Sequence, residues 1–146
     1  MDFDTRVKTA VYAWFARTSA GPAVGEMAEQ LGCAAADVRS AYARLRANRV
    51  LLLEADGETI RMAPPFSGVP TPHVVDVDGR SYFANCAWDA LGIPAALRQP
   101  AEVFSRWEQT LEPLNLRVRE SGPEPVECVI HFAVPAALWW KDIVFT

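Results

Sequence analysis

The segment from residue 63 to residue 72 constrains the fold more than any other, because it holds four prolines in ten residues. Proline lacks an amide donor and pushes the residue before it toward extended conformations. We therefore expect no regular structure here, but an extended connector at residues 64–72 with Phe66 as its apolar anchor. This connector predicts two parts in the chain, residues 1–63 and residues 73–146.

The first part has the apolar spacing of three amphipathic helices followed by a β-hairpin. The predicted helices cover Asp4–Arg17, Val24–Leu31 and Ala35–Asn48, and the predicted strands cover Val50–Leu53 and Glu58–Met62. Gly32 is a stop signal for the second helix, and Asp56-Gly57 is the turn between the strands. Three helices and a hairpin in this order are typical of a winged helix-turn-helix.

Arginines cluster on the third helix and at its end, where a DNA-binding winged helix contacts phosphates and bases. They are Arg39, Arg44, Arg46 and Arg49. The alternative is a solvated face on a structural helix, since many winged helices serve only in packing or dimerisation. The chain carries 14 basic and 18 acidic side chains, a net charge of −4, and so has no overall attraction to nucleic acid or to an anionic membrane. DNA is therefore allowed as a partner but not favoured.

The second part alternates as a mixed α/β unit, which makes the expected fold class α+β. A hairpin at residues 73–83 turns at Asp78-Gly79, and a short helix at residues 85–91 is ended by Gly92 and Pro94. Three further strands are predicted at residues 101–104, 114–119 and 126–134. A short helix or turn follows at residues 136–141, and residues 142–146 have the pattern of a strand that is cut short.

Three cysteines, Cys33, Cys86 and Cys128, form neither a CxxC motif nor an even set, so neither a disulfide framework nor a closed zinc site is indicated. The N-terminus lacks the apolar run of a signal peptide, and no segment has the length of a membrane span. We expect a cytoplasmic protein with free thiols and no membrane partner. His73 and His131 fit hydrogen-bonding roles better than ligand roles, and the Trp139-Trp140 pair fits a cover for the core. The assignments of these two histidines and two tryptophans rest only on where each residue lies in the sequence.

Cys86 and Asp89 are the residues best placed for chemistry, because positions three apart at the start of a helix share one face. Backbone amides and the helix dipole at this end favour a thiolate, which is the protein ligand that soft metals prefer. The same pair also fits a buried cysteine beside a helix-stabilising aspartate. Spacing alone therefore leaves both interpretations open.

The surrounding sequence resembles the organomercurial (alkylmercury) lyase family. The resemblance lies in Pro65-Phe-Ser67, in the run from Thr71 to Arg80, and in Tyr82-Phe-Ala-Asn-Cys-Ala-Trp-Asp-Ala-Leu-Gly-Ile-Pro-Ala-Ala-Leu97. The family's Cys-Ala-x-Asp-x-Leu motif falls on Cys86, Ala87, Asp89 and Leu91, followed by Pro94. This likeness implies a winged-helix-like domain joined to a small lyase core, with Cys86 as the first mercury-binding thiolate and Asp89 as the proton shuttle.

In such enzymes two thiolates hold the mercury of R–Hg⁺ and a carboxylic acid protonates the departing carbon. The second thiolate is expected near Phe145-Thr146, where the sequence has no cysteine, so either the core is truncated at residue 146 or the thiolate is lost. Cys128 is a further candidate for it, and Cys33 a poorer one. The expected partners are a small organomercurial and small thiols, with Hg(II) as product or bound ion, no cofactor, and a homodimer allowed.

Three hypotheses follow from these residues. The first is a lyase that cleaves the Hg–C bond and contributes to mercury resistance. The second is a mercury- or soft-metal-binding winged-helix regulator, which would need the arginines of the third helix for DNA. The third is an inactive homologue that keeps only the fold.

Overall fold

Three helices open the computed structural model, which describes residues 1–144. They are α1 (Phe3–Thr18), α2 (Val24–Leu31) and α3 (Ala35–Ala47), each bound within one residue of its prediction. Asp2 caps α1 by accepting a hydrogen bond from the Thr5 amide at 3.0 Å, and Gly32 ends α2 in the left-handed conformation. The apolar spacing therefore predicted this part of the fold correctly.

A three-stranded antiparallel sheet follows the helices, in the order β1-β2-β3. Its strands are β1 (Leu52–Leu53), β2 (Ile60–Ala63) and β3 (Phe66–Ser67). The prediction that residues 64–72 hold no regular structure is wrong at β3, which pairs with β2 through Ala63↔Phe66 and Met62↔Ser67. Both β3 residues are non-proline and keep their amides, so an available partner strand can extend the sheet into a proline-rich segment. The winged-helix assignment itself stays a prediction.

The second sheet has five antiparallel strands in the order β5-β4-β6-β7-β8. Its elements are β4 (Val74–Val77), β5 (Arg80–Phe83), α4 (Ala87–Leu97), β6 (Ala101–Arg106), β7 (Pro113–Arg119) and β8 (Gly122–Glu124). The β4–β5 hairpin turns at Asp78-Gly79, where both residues have positive φ, as a two-residue hairpin turn requires. Antiparallel sheets beside helices confirm the α+β fold class.

Phe66 joins the two sheets to the helices at the centre of one continuous hydrophobic core. Its ring stacks on Phe15 of α1 at 5.4 Å and lies 5.7 Å from Tyr82 of β5. The Tyr82 hydroxyl in turn donates to the Ala16 carbonyl at 2.7 Å. The anchoring role predicted for Phe66 is thus confirmed, and through it α1 packs directly against the part of the chain that carries Cys86.

Three predicted elements differ from the structure. Helix α4 continues past Gly92 to Leu97 with Pro94 inside it. Residues 126–134 were predicted as a strand but are irregular, because no strand within residues 1–144 pairs with them, and Val126 and Val129 are 79% and 84% exposed. Residues 142–144 form a bend and turn rather than a strand, and residues 145–146 lie outside the described part of the chain.

A short 3₁₀ helix at Ala136–Lys141 matches the predicted helix or turn. No helix in residues 1–144 is long and apolar enough to cross a membrane.

Candidate functional site

Cys86 lies at the N-cap of α4, immediately after the β4–β5 hairpin, and Asp89 lies in the first turn of the helix. The chain before Cys86 is fixed by backbone contacts of Ala84: its amide donates to the His73 carbonyl at 2.9 Å, and its carbonyl accepts from the Thr71 hydroxyl at 2.6 Å. The Cys86 carbonyl accepts the first helical hydrogen bond, from the Ala90 amide at 2.9 Å. The predicted placement of the pair at the start of a helix after a hairpin is therefore confirmed.

The pKa of the Cys86 thiol is raised, chiefly because burial removes water from the thiolate and also because the Asp89 carboxylate is nearby. The backbone amides of Asp89 and Trp88 act in the opposite direction, as expected at a helix N-terminus, but they do not outweigh burial. No side-chain capping hydrogen bond is formed at this end. The expectation that the helix end makes Cys86 a favoured thiolate is therefore wrong for this structure, since desolvation is the larger effect.

The pKa of the Asp89 carboxyl is also raised, and burial is again the main cause. One donor opposes that shift: the Asn85 side-chain amide, 2.8 Å from Asp89 Oδ2. A buried carboxyl with a raised pKa holds a proton to higher pH than an exposed one, which suits a group that must deliver a proton.

Asn85 is a site residue that sequence reasoning missed. Its amide nitrogen also donates to the Phe66 carbonyl at 3.2 Å and the Pro65 carbonyl at 3.4 Å, while its own Oδ1 is buried without a hydrogen-bond partner within residues 1–144. The available signal was an amide side chain just before the helix, four residues from Asp89, because Asn85 precedes the N-cap Cys86 and its side chain can reach the first turn. Asn85 thus ties Asp89 to the segment that carries Phe66.

Cys86 and Asp89 open into a cleft of about 980 Å³ between α1, the end of α3, the second sheet and the segment at residues 130–144. Its lining includes Lys8, Tyr12, Arg49, Val50, His73, Asn85, Trp88, Arg106, Glu108, His131, Phe132, Trp139 and Trp140. Sequence reasoning also missed that α1 contributes Lys8 and Tyr12 to this lining, because both are far from Cys86 in sequence. The cleft is large enough for a small organic ligand.

His73 is buried at this cleft, with Nδ1 2.8 Å from the Ser105 hydroxyl oxygen. Burial lowers the pKa of its imidazole, so the ring is held in its neutral form. The hydrogen-bonding role predicted for His73 is confirmed. His131 also lines the cleft but is exposed, on an irregular segment rather than in the predicted strand.

Aromatic side chains form one side of the cleft. The Phe132 ring lies 6.2 Å from Trp88 in an edge contact and 4.8 Å from Trp139. Trp139 donates its indole N–H to the Val134 carbonyl at 2.8 Å, which fixes the ring. Trp139 and Trp140 are half-buried and line the cleft that holds Cys86, so they cover the site; their predicted role as a cover for the core stays a prediction.

The other two cysteines do not line this cleft. Cys128 and Cys33 are half-buried and pack against the hydrophobic core. The structure thus brings Cys86 and Asp89 together but does not bring Cys128 to the cleft, and the expected place of a second thiolate, residues 145–146, lies outside the described residues. Within residues 1–144 no three His, Cys, Asp or Glu side chains are grouped to hold a metal ion.

Two of the arginines considered for DNA contact are engaged within the chain. Arg44 donates to both carboxylate oxygens of Asp4 at 2.7 and 2.8 Å, and Arg39 donates to Glu58 at 2.7 Å. Exposed ion pairs of this kind are weak and can exchange partners. DNA binding stays a prediction.

Comparison with known proteins gives one family. The model of the alkylmercury lyase family, MerB, matches residues 66–146. The chain is similar to the alkylmercury lyase of Pseudomonas putida, 39% identical over 70 residues, which is 46% of this chain and 33% of that protein. The chain is also similar to the alkylmercury lyase of Streptomyces lividans, with 38% identity over 71 residues, which is 47% of this chain and 33% of that protein.

These alignments span about a third of the length of the curated relatives. Among solved structures, the mercury-bound form of MerB2 has a TM-score of 0.68 and 24% identity, and the match covers 84% of this chain and 59% of that one. That likeness concerns the fold, and it extends over the helices as well as the region that the family model matches.

Proposed function

Because the chain belongs to the alkylmercury lyase family, we propose that its cleft cleaves the Hg–C bond of small organomercurials. Cys86 binds the mercury and Asp89 protonates the carbon that leaves it. The observation that carries this proposal is the pairing of the two side chains at the start of α4, inside a cleft, with the Asp89 pKa raised by burial.

Capture comes first in this mechanism. An organomercurial enters as a thiol adduct, R–Hg–SR′, and the Cys86 sulfur replaces the small thiolate on mercury. The Cys86 proton leaves with the displaced thiol or passes to Asp89. Mercury binds a thiolate strongly as a soft metal, so the raised pKa of Cys86 slows capture near neutral pH but does not prevent it.

Protonolysis follows. A second thiolate adds to mercury and weakens the Hg–C bond, whose electron pair takes the proton of Asp89 to give R–H. Hg(II) stays on two sulfurs, and Asp89 is left as a carboxylate until it takes up the next proton. Burial, which raises the Asp89 pKa, favours the protonated form that this step needs.

The test is release of benzene from phenylmercury by the purified protein in excess small thiol. Asp89→Ala should lower kcat by about 10²–10⁴-fold, the range for loss of a positioned acid, while still capturing mercury. Cys86→Ser should lose both capture at the cleft and benzene release. Wild type that takes up one mercury per chain without releasing benzene would refute the lyase and leave a binding protein.

A matched control uses the other two thiols. Cys33→Ser and Cys128→Ser should leave benzene release unchanged, because both side chains pack against the core away from the cleft. Loss of activity in Cys128→Ser, with stability unchanged, would instead assign the second thiolate to Cys128.

A further inference from the structure

Two cations without carboxylate partners line the cleft on its helical side. They are Lys8 of α1 and Arg49, which follows α3. Neither forms an ion pair within residues 1–144, whereas the third cation of the cleft, Arg106, is 3.3 Å from Glu108. The cleft therefore has two unneutralised positive side chains in a chain whose net charge is −4.

The negative groups of the cleft do not cancel this charge. Glu108 is paired with Arg106, and Asp89 is a buried carboxyl whose pKa is raised. His73 is neutral because burial lowers its pKa. An anion in the cleft would therefore meet Lys8 and Arg49 as its available counter-charges.

Both cations are held on fixed backbone. Lys8 lies one helical turn, about 6 Å, before Tyr12 on the same face of α1. Tyr12 is anchored by its hydroxyl, which donates to the Pro64 carbonyl at 3.1 Å, and it lies close enough to Asp89 to feel its charge. At Arg49 the helix end is closed by the Val50 amide, which donates to the Leu45 carbonyl at 2.9 Å.

We propose that Lys8 and Arg49 form a carboxylate-binding site for a group carried on mercury, so that the cleft favours organomercurial adducts bearing an anion. This inference rests on the proposed function. The aromatic side chains Trp88, Phe132 and Trp139 suit a flat ring attached to the mercury on Cys86. A para-carboxylate on that ring would lie about one ring-length from the metal, inside the cleft that Lys8 and Arg49 also line.

The carboxylate can belong to the organic group or to the small thiol that accompanies mercury, and the two arms of the experiment separate these sources. The first arm compares kcat/KM for para-carboxyphenylmercury and phenylmercury in an uncharged thiol. The second compares phenylmercury in mercaptoacetate and in mercaptoethanol. The variants are Lys8→Gln, Arg49→Gln and their combination, with Arg46→Gln as the control because it lies on α3 outside the cleft.

The expected result is a preference for the anionic adduct in at least one arm that falls about fivefold in the double variant and at raised ionic strength. Turnover of phenylmercury in mercaptoethanol should change much less in these variants than turnover of the anionic adduct, and Arg46→Gln should keep the wild-type preference. No anion preference in either arm, or equal losses for charged and uncharged adducts, would overturn the site.

A second measurement separates this inference from the lyase proposal. In a Cys33→Ser/Cys128→Ser background, Cys86 is titrated with the dianionic disulfide of thionitrobenzoate and with neutral dipyridyl disulfide. The ratio of the two rates should fall about fivefold in the Lys8→Gln/Arg49→Gln variant. If benzene is never released but this ratio falls, the lyase proposal fails and the anion site stands. An unchanged ratio removes the anion site whatever the activity.

Discussion

The hydrogen bond between Asn85 and Asp89 should contribute measurably to stability, and its contribution should depend on pH. The distance is 2.8 Å in a partly buried setting, and a hydrogen bond to a charged group is worth about 1.5–3 kcal/mol, against about 0.5–1.5 kcal/mol for a neutral one. Asn85→Ala alone is a poor probe. It removes this bond but also a buried Oδ1 without a partner, whose burial costs about 1–3 kcal/mol.

A double-mutant cycle isolates the pair. Urea unfolding of wild type, Asn85→Ala, Asp89→Ala and the double variant should give a coupling energy of about 1.5–3 kcal/mol at a pH above the folded pKa of Asp89, where its carboxylate is charged. Because the folded pKa of Asp89 is raised above 3.8, its burial cost appears as pH rises through the folded pKa. The hydrogen bond from Asn85 opposes that cost, so the coupling energy should fall toward that of a neutral hydrogen bond at a pH below the folded pKa of Asp89.

The matched control is the exposed pair Arg39–Glu58, 2.7 Å apart, whose coupling should be only about 0.2–1 kcal/mol. A coupling energy for Asn85–Asp89 no larger than that of the exposed pair, or one that does not change between the two pH values, would refute the reasoning.

Asn85→Ala should also release benzene from phenylmercury more slowly than wild type, with mercury capture intact, because the Asp89 carboxyl is no longer oriented. Equal rates with and without Asn85 would mean that Asp89 is positioned by the helix alone.

Three further predictions concern the frame of the site. Phe66→Ala should lower the free energy of unfolding by about 3–5 kcal/mol in urea, since the ring is 2% exposed, whereas Phe104→Ala, 41% exposed, should cost far less. Gly68→Ala should strongly lower the stability of the fold, because the added Cβ would overlap the Ile60 carbonyl of β2. Gly25→Ala, with open space around it on α2, should instead raise stability by about 0.5–1 kcal/mol. Thermal unfolding of the two variants tests both expectations. Burial lowers the pKa of His73, so the free energy of unfolding of wild type should fall as pH drops below 6.5. His73→Gln should lose less stability over the same pH range. Parallel curves of unfolding free energy against pH for the two proteins would contradict this.

The sequence by itself determined what depends on neighbours within a few residues. Apolar spacing predicted α1, α2 and α3, because one face of each must be buried wherever the helix packs. Asp78-Gly79 predicted the hairpin, since few residues adopt its positive φ. The pair Cys86 and Asp89 followed from a spacing of three at the start of a helix, together with the family resemblance.

Tertiary structure decided what depends on residues far apart in the chain. β3 forms in a proline-rich segment because β2 offers it hydrogen bonds, and residues 126–134 are irregular because no strand does. Burial raised the pKa of Cys86 against the local effect of the helix end. The cleft brings Lys8 and Tyr12 to the site. A sequence pattern records local preference, whereas hydrogen-bond partners, desolvation and the walls of a cleft exist only once distant segments have packed.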